Sequence, residues 1–228
     1  MAAHQSRMAC DTTFENRLTP EGFTLIAGVD EVGRGAVAGP VVAAAVILNL
    51  ADVPEGINDS KKLTRGQRER LACEIERRAV AFFVARVEHF EIDKINIHRA
   101  SLEAMAQAVK GLQPSAEYVL IDGRFRLPQV NCPQQAIIKG DGLSVSVAAA
   151  SILAKVSRDG WMREYDRHYP GYGFASHVGY NTRAHQEAIA RLGPSAIHRL
   201  TFNGVQAQQG VLDLSREEVP LSSLPNLK

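Results

Sequence analysis

The chain has 228 residues, 45% hydrophobic and 22% charged, with a formal net charge of +1; this is the composition of an ordinary water-soluble globular protein with one sizeable core. The near-neutral balance excludes a global field that draws the molecule to nucleic acid, so any such attraction has to come from a local patch. No apolar run reaches membrane-spanning length, and Cys10, Cys73 and Cys132, odd in number and without a CxxC pair, read as reduced cytosolic thiols.

Residues 1–20 hold Asp11 and Glu15 but no apolar stretch, and are expected to form a flexible leader rather than a signal peptide. Strands are expected over 23–30 and 41–50, joined by a glycine-rich turn, and the run Gly28-Val29-Asp30-Glu31-Val32-Gly33-Arg34-Gly35 spans the end of the first strand and that turn. Adjacent carboxylates at a strand end repel unless a cation sits between them. A Gly-Arg-Gly turn lets backbone amides and a guanidinium approach an anion. The pair points to a divalent metal and a phosphate in one site. Two other glycine-loop readings fit less well. The Gly28–Gly33 spacing opens like a P-loop but lacks the Lys-Ser/Thr that follows, and the third glycine of a dinucleotide fingerprint arrives one residue late, at Gly39.

A third strand is expected over 80–88, and three strands so close in sequence suggest an antiparallel start. Between them lies a basic cluster of Lys61, Lys62, Arg65, Arg68 and Arg70, whose ordinary reading is a solvated helix face. Thr64-Arg65-Gly66-Gln67 fits a capping box that opens a helix to about residue 78. The stretch 95–111 reads as an amphipathic helix. Strands are expected over 117–122, ending in Asp122-Gly123, and over 135–139. A long Ala- and Ser-rich helix over 143–167 is followed by a glycine-rich loop to 180 and a helix over 182–192. Periodicity ends near residue 205. This order implies an α/β fold with a mixed sheet flanked by helices and a helical C-terminal region. One domain is expected over 21–205, with a flexible tail over 206–228.

Asp30, Glu31, Asp122 and Asp141 stand at or just past strand ends, where such sheets place their sites. Singly, Glu31 also reads as a solvated strand end, Asp122-Gly123 as a turn and Asp141 as a helix N-cap. Asp159 is a rival acid that shares a helical face with Lys155 and Ser151 and reads as a supporting ion pair. Carboxylates suit hard ions, and no Cys/His cluster suggests zinc.

Several blocks together resemble the bacterial ribonuclease HII family. They are Gly28 to Gly35, Asn58-Asp59-Ser60-Lys61-Lys62-Leu63, Val119-Leu120-Ile121-Asp122-Gly123, Ile138-Lys139-Gly140-Asp141, the run from Ala148 to Asp159, and Ser176-His177-Val178-Gly179-Tyr180. They occur in the family's order across 23–205. Ala36 departs from it, standing where proline is common, which loosens the turn after Gly35.

The resemblance implies an RNase H-like fold and a metal-dependent endonuclease. It would cleave the RNA strand of RNA–DNA hybrids, and duplex DNA 5′ to a single embedded ribonucleotide. The implied chemistry is two-metal in-line hydrolysis with Mg²⁺ or Mn²⁺, leaving 5′-phosphate and 3′-hydroxyl ends. Asp30, Glu31, Asp122 and Asp141 match the catalytic and metal-binding acids. Gly33, Arg34, Gly35 and Tyr180 match the ribose readers, and only the 2′-hydroxyl tells RNA from DNA at one nucleotide. Without the resemblance Tyr180 reads as a core or loop tyrosine, and His177 stays open between loop residue and phosphate donor.

Ser60, Lys61 and Lys62, just before a helix cap, are expected to hold substrate phosphates, and Arg68 and Arg70 to be surface charges. The competing functions are an RNase H-like nuclease acting on DNA junctions and a non-catalytic nucleic-acid-binding module. A cytoplasmic monomer with no membrane partner is expected. The run from Gln209 to Leu214 loosely resembles peptides that dock on sliding clamps; its other reading is a terminal turn packed on the domain.

Overall fold

The computed structural model describes residues 10–205. They fall into two compact units. The first comprises the residues up to Glu31, Ala43–Ala85 and Met105–Val156, and the second Val32–Val42, Arg86–Ala104 and the residues from Ser157. The expected clamp-docking run at 209–214 lies outside the described residues, as does the rest of the tail.

The central sheet has five strands in the order β3-β2-β1-β4-β5. They are β1 (Ile26–Val32), β2 (Val41–Ile47), β3 (Ala81–Val87), β4 (Tyr118–Asp122) and β5 (Gln134–Ile137). The sheet is mixed, as the element order implies, with β1, β4 and β5 parallel. All seven residues of β2 are buried, which is why its sequence is continuously apolar rather than alternating.

Long helix α5 (Val145–His168) begins in the first unit. Its Ala148-Ala149-Ala150 run is fully buried, and small residues there let helix and sheet approach. At Gly28 of β1 an added Cβ would lie 2.1 Å from the Ser146 carbonyl carbon and 2.3 Å from the Val147 nitrogen, so only glycine fits. Leu18, Ile26, Leu120, Ile137 and Val147 form a core cluster on this side.

Three elements differ from the sequence expectation. Part of the expected flexible leader forms helix α1 (Thr13–Leu18), with Glu15 fully buried. The Glu15 carboxylate accepts from the Ser144 hydroxyl at 2.6 Å and the Ser146 amide at 3.0 Å. It thereby caps the start of α5, where orphan amides favour an anion. The helix expected over 95–111 is present as α4 (Ile97–Lys110), and a further short helix that the sequence did not signal, α3 (His89–Ile95), precedes it. Asn96 between them takes a left-handed φ of 69° and its side chain accepts from the Arg99 amide at 3.1 Å, so it ends one helix and caps the next. The loop over 169–180 contains a short helix, α6 (Phe174–His177).

Other local expectations hold. Helix α2 (Arg65–Arg78) starts on a reciprocal capping box between Thr64 and Gln67. Helix α7 (Arg183–Leu192) is N-capped by Thr182. The second unit packs Met162, Tyr165, Tyr172, Phe174, Ala188 and Ile197 together. Among the described residues no helix is long and apolar enough to cross a membrane.

Candidate active site

In the first unit, Asp30 and Glu31 lie on β1 and Asp122 ends β4. The parallel register pairs Val29 with Ile121, so one step on it brings Asp30 level with Asp122. Asp141 sits in the 3-10 turn Gly140–Gly142, which follows β5. Lys139 enters that turn with φ 60°, and the Gly140 amide donates to Asp122 Oδ1 at 2.7 Å. The turn is thus bound to the end of β4, which brings Asp141 to Asp122.

Asp30 is buried. Burial, and then the charges of Glu31, Asp122 and Asp141, push its carboxyl well above the usual carboxylate range. A hydrogen bond from Ser151 acts the other way, and the Ser151 hydroxyl lies 2.8 Å from that of Ser60. With Ser151 donating to Asp30, the Ser60 hydroxyl donates to Ser151. The Glu31 amide also donates to Asp30 Oδ1 at 2.7 Å. Asp122 is raised by burial and then by Asp141, against the opposing backbone amides of Gly140 and Asp141. Lys61 donates to Asp141 Oδ2 at 2.8 Å. Burial works against the Lys61 charge, but the bond to Asp141 and its negative charge win and hold the ammonium above its ordinary range.

The sequence expects Ser60, Lys61 and Lys62 on substrate phosphates. In the structure Ser60 is buried on Ser151 and Lys61 sits on Asp141, because the turn Ser60–Lys62, capped by Asp59, faces the acids. Lys62 is exposed. Arg68, expected as a surface charge, donates to the carbonyls of Ser60 and Leu63 and holds this turn; Arg70 pairs with Glu74. Ser151, which the sequence places only on the helical face of Asp159 and Lys155, hydrogen-bonds Asp30.

Among the described residues no three Asp, Glu, His or Cys side chains already form a metal cage. The chemistry of the donor set still fits a hard divalent cation. The cluster offers carboxylate oxygens, two of its acids are disfavoured as anions by burial and mutual repulsion, and the ammonium ion-paired with the cluster is on Asp141.

In the second unit, the turn at Gly33–Gly35 is stitched to the loop at 177–180. The amides of Val37 and Ala38 donate to the Gly179 carbonyl at 2.8 and 3.3 Å, and Ala36 bridges Tyr180. A Cβ at Gly35 would lie 3.9 Å from the Tyr180 ring. Gly33 has φ 93°, and a Cβ there would meet Arg158 Nε at 2.2 Å. The structure therefore brings the expected ribose residues Gly33, Arg34, Gly35 and Tyr180 to one place. Asp159, the rival acid, belongs to this unit.

Two fully buried arginines hold the arrangement, and the sequence reading singled out neither. Arg158 donates to the carbonyls of Pro40, Ala38 and Val178 at 3.0, 3.1 and 2.8 Å. Arg199 donates to those of Gly39 and Arg34 at 2.9 and 3.1 Å. Burial, then the neighbouring Arg158 charge, pushes the Arg199 guanidinium down to about 9. His177, which the sequence left open, is a loop brace: its Nδ1 accepts from the Gly179 amide at 3.2 Å and its Nε2 lies 2.8 Å from the Tyr172 carbonyl.

The family model described as Ribonuclease HII matches residues 27–205. Ribonuclease HII of Geobacter sulfurreducens is 52% identical over 197 residues, covering 86% of this chain and 90% of its own. That of Geobacillus thermodenitrificans is 51% identical over 200 residues, 87% of this chain and 76% of its own. The crystal structure of ribonuclease H2 from Pyrococcus horikoshii aligns with TM-score 0.68 at 27% identity, covering 79% of this chain and 94% of that one. The ribonuclease HII of Archaeoglobus fulgidus, solved as a complex with PCNA, aligns with TM-score 0.67 at 28% identity, covering 83% and 99%. With a family match across residues 27–205 and about half of the positions aligned with the bacterial relatives identical, this chain belongs to the ribonuclease HII family.

Proposed function

We propose that this ribonuclease H cleaves the RNA strand of RNA–DNA hybrids, and duplex DNA 5′ to a single embedded ribonucleotide, at Asp30, Glu31, Asp122 and Asp141. The observation that carries the reading is the cluster of acids at the end of β1 and β4, in which Asp30 is buried against three other carboxylates. Such a cluster is stable as anions only with added positive charge. The four acids would hold Mg²⁺ or Mn²⁺, two ions in the catalytic complex. When bound, the ions supply a nucleophile from water at neutral pH and charge stabilisation at the leaving 3′-oxygen.

The chain's own residues do the positioning. Ser151 and the Glu31 amide orient Asp30, and Gly140 orients Asp122. Lys61 holds Asp141 and is free to turn to a phosphate once that charge is otherwise met. In the second unit, Gly33, Arg34 and Gly35 offer a close backbone approach to a ribose edge. Tyr180 offers a hydroxyl for the 2′-hydroxyl and a ring face for the sugar. A DNA-junction nuclease has no 2′-hydroxyl to read and no use for this pairing. A non-catalytic binding module would be weakened by a cluster of acids.

The test is a DNA duplex with one ribonucleotide, incubated with and without Mn²⁺. Metal-dependent cleavage 5′ to the ribonucleotide is expected, and cleavage of an all-DNA junction in its place refutes the reading. We place the enzyme in the cytoplasm as a monomer. A sliding clamp is a proposed partner through the run from Gln209 to Leu214, supported by the PCNA complex of the archaeal relative. The full chain should bind a bacterial clamp in a calorimetric titration and a chain ending at residue 205 should not; equal binding by both removes the tail's role.

A further inference from the structure

Three histidines of the second unit stand together, and the proposed chemistry uses none of them. His185 and His198 are buried. The His185 ring stacks on His177 with centroids 4.2 Å apart, and both meet the edge or face of Phe174. His185 Nε2 and His198 Nε2 are 3.0 Å apart, a contact that needs one proton between two nitrogens.

Backbone groups of fixed polarity close both ends of this contact. At one end the Ser195 amide, which can only donate, lies 2.8 Å from His198 Nδ1. His198 Nδ1 is therefore bare, and a neutral ring carries its proton on Nε2. At the other end His185 Nδ1 lies 2.9 Å from the Tyr180 carbonyl, which can only accept. His185 therefore carries its proton on Nδ1, leaving Nε2 to accept from His198. The two ends independently require the same arrangement, Ser195 amide to His198 to His185 to the Tyr180 carbonyl. Burial, then the rings facing each other, keeps both histidines neutral. His185 is pushed down to about 4 and His198 to about 3, with His177 bearing on both and His89 on His198.

We propose that His185 is a positioning residue for Tyr180, fixed in its Nδ1–H form by His198 and Ser195. The proposal rests on the reading of Tyr180 as the ribose contact. The chain reverses sharply just before Tyr180, with Val178 at φ 45° and Gly179 at φ 81°. A β-branched residue at positive φ persists only where its surroundings hold it. Arg158 holds the Val178 carbonyl from one side. The Tyr180 carbonyl accepts from both the Thr182 amide at 2.8 Å and His185, which uses both of its lone pairs. With the backbone so fixed, the Tyr180 ring has few ways to point, and its face lies 5.6 Å from the Arg158 guanidinium carbon.

Long-range ¹H–¹⁵N spectra of the full chain test the arrangement without any variant. His185 should show the Nδ1–H tautomer and His198 the Nε2–H tautomer. An Nε2–H form at His185 overturns the proposal.

Kinetics on the single-ribonucleotide duplex test its consequence. His185→Gln reaches toward Nε2 and lacks the donor at Nδ1, so kcat/KM should fall about tenfold, the size of one lost hydrogen bond. His185→Asn places an amide donor near Nδ1 and should recover most of that loss. The double variant Tyr180→Ala/His185→Gln should be no worse than Tyr180→Ala alone. Equal losses for the Gln and Asn variants, or additive losses in the double variant beside a damaging Tyr180→Ala, overturn positioning and leave the ribose reading standing. An undamaged Tyr180→Ala enzyme removes the ribose reading and the positioning role with it, whatever the tautomers.

Discussion

Asp30 meets three other carboxylates while buried, so its charge is opposed twice, by lost solvation and by repulsion. Lys61 on Asp141 and the Ser151 hydroxyl on Asp30 relieve that load within the chain. Replacing Asp30 or Asp122 by asparagine removes a repelling charge while keeping size. Each variant should lose more than about a hundredfold in cleavage rate. Its melting temperature in chelator should be unchanged or higher than the parent's. Full activity in either purified variant ends the reading of these acids as catalytic. The arginines behave differently, because Arg158 and Arg199 are buried against carbonyl oxygens. Their task is to hold the turn at Gly33–Gly35 and the Tyr180 loop in shape, through charge-assisted hydrogen bonds.

At the scale of elements, the first unit depends on how closely α5 meets β1. A methyl group at Gly28 would collide with backbone atoms of Ser146 and Val147, which cannot swing away as a side chain can. Gly28→Ala should therefore destabilise the protein by about 1–3 kcal/mol in a denaturant titration. Gly66, in the first turn of α2, meets nothing within 4 Å, and Gly66→Ala should stabilise by about 0.4–1 kcal/mol by restricting the unfolded chain. Equal effects at the two positions would refute the close strand–helix contact. Helix α1 is held on the same first turn of α5 through Glu15, a short helix fixed by tertiary contact and not by its own propensity.

For the molecule as a whole, the buried histidines predict a pH dependence of stability. Both have folded-state values, about 4 and about 3, below the ordinary 6.5. Between those values and 6.5 the unfolded chain binds more protons, so stability is complete above about 6.5 and is lost as pH falls toward 4 and 3. Each ring contributes at most about 1.4 kcal/mol per pH unit. Denaturant titrations at pH 7 and pH 5 should show a larger loss in the parent than in His198→Gln. Equal losses would mean that His198 is not held neutral. The net charge of +1 provides no general attraction to nucleic acid, so affinity has to come from local groups, and Arg34 and Lys62 are proposed among them.

The family, the α/β class and most of the elements are legible in the sequence. Period, capping signals and glycine punctuation are local, and the blocks around Asp30, Asp122 and Asp141 are contiguous. The capping box at Thr64 and Gln67 is legible because its partners are three residues apart. Contacts between partners far apart along the chain are not legible there. Glu15 finds the Ser146 amide 131 positions on, so α1 carries no local sign of its docking. Ser60 turns inward because Ser151 waits 91 positions away. Arg199 reaches the Arg34 carbonyl across 165 positions. His185 and His198 lie 13 positions apart, and only the fold brings their rings together. A buried hydrogen bond is set by the polarity and distance of its partner, and local propensity contains neither.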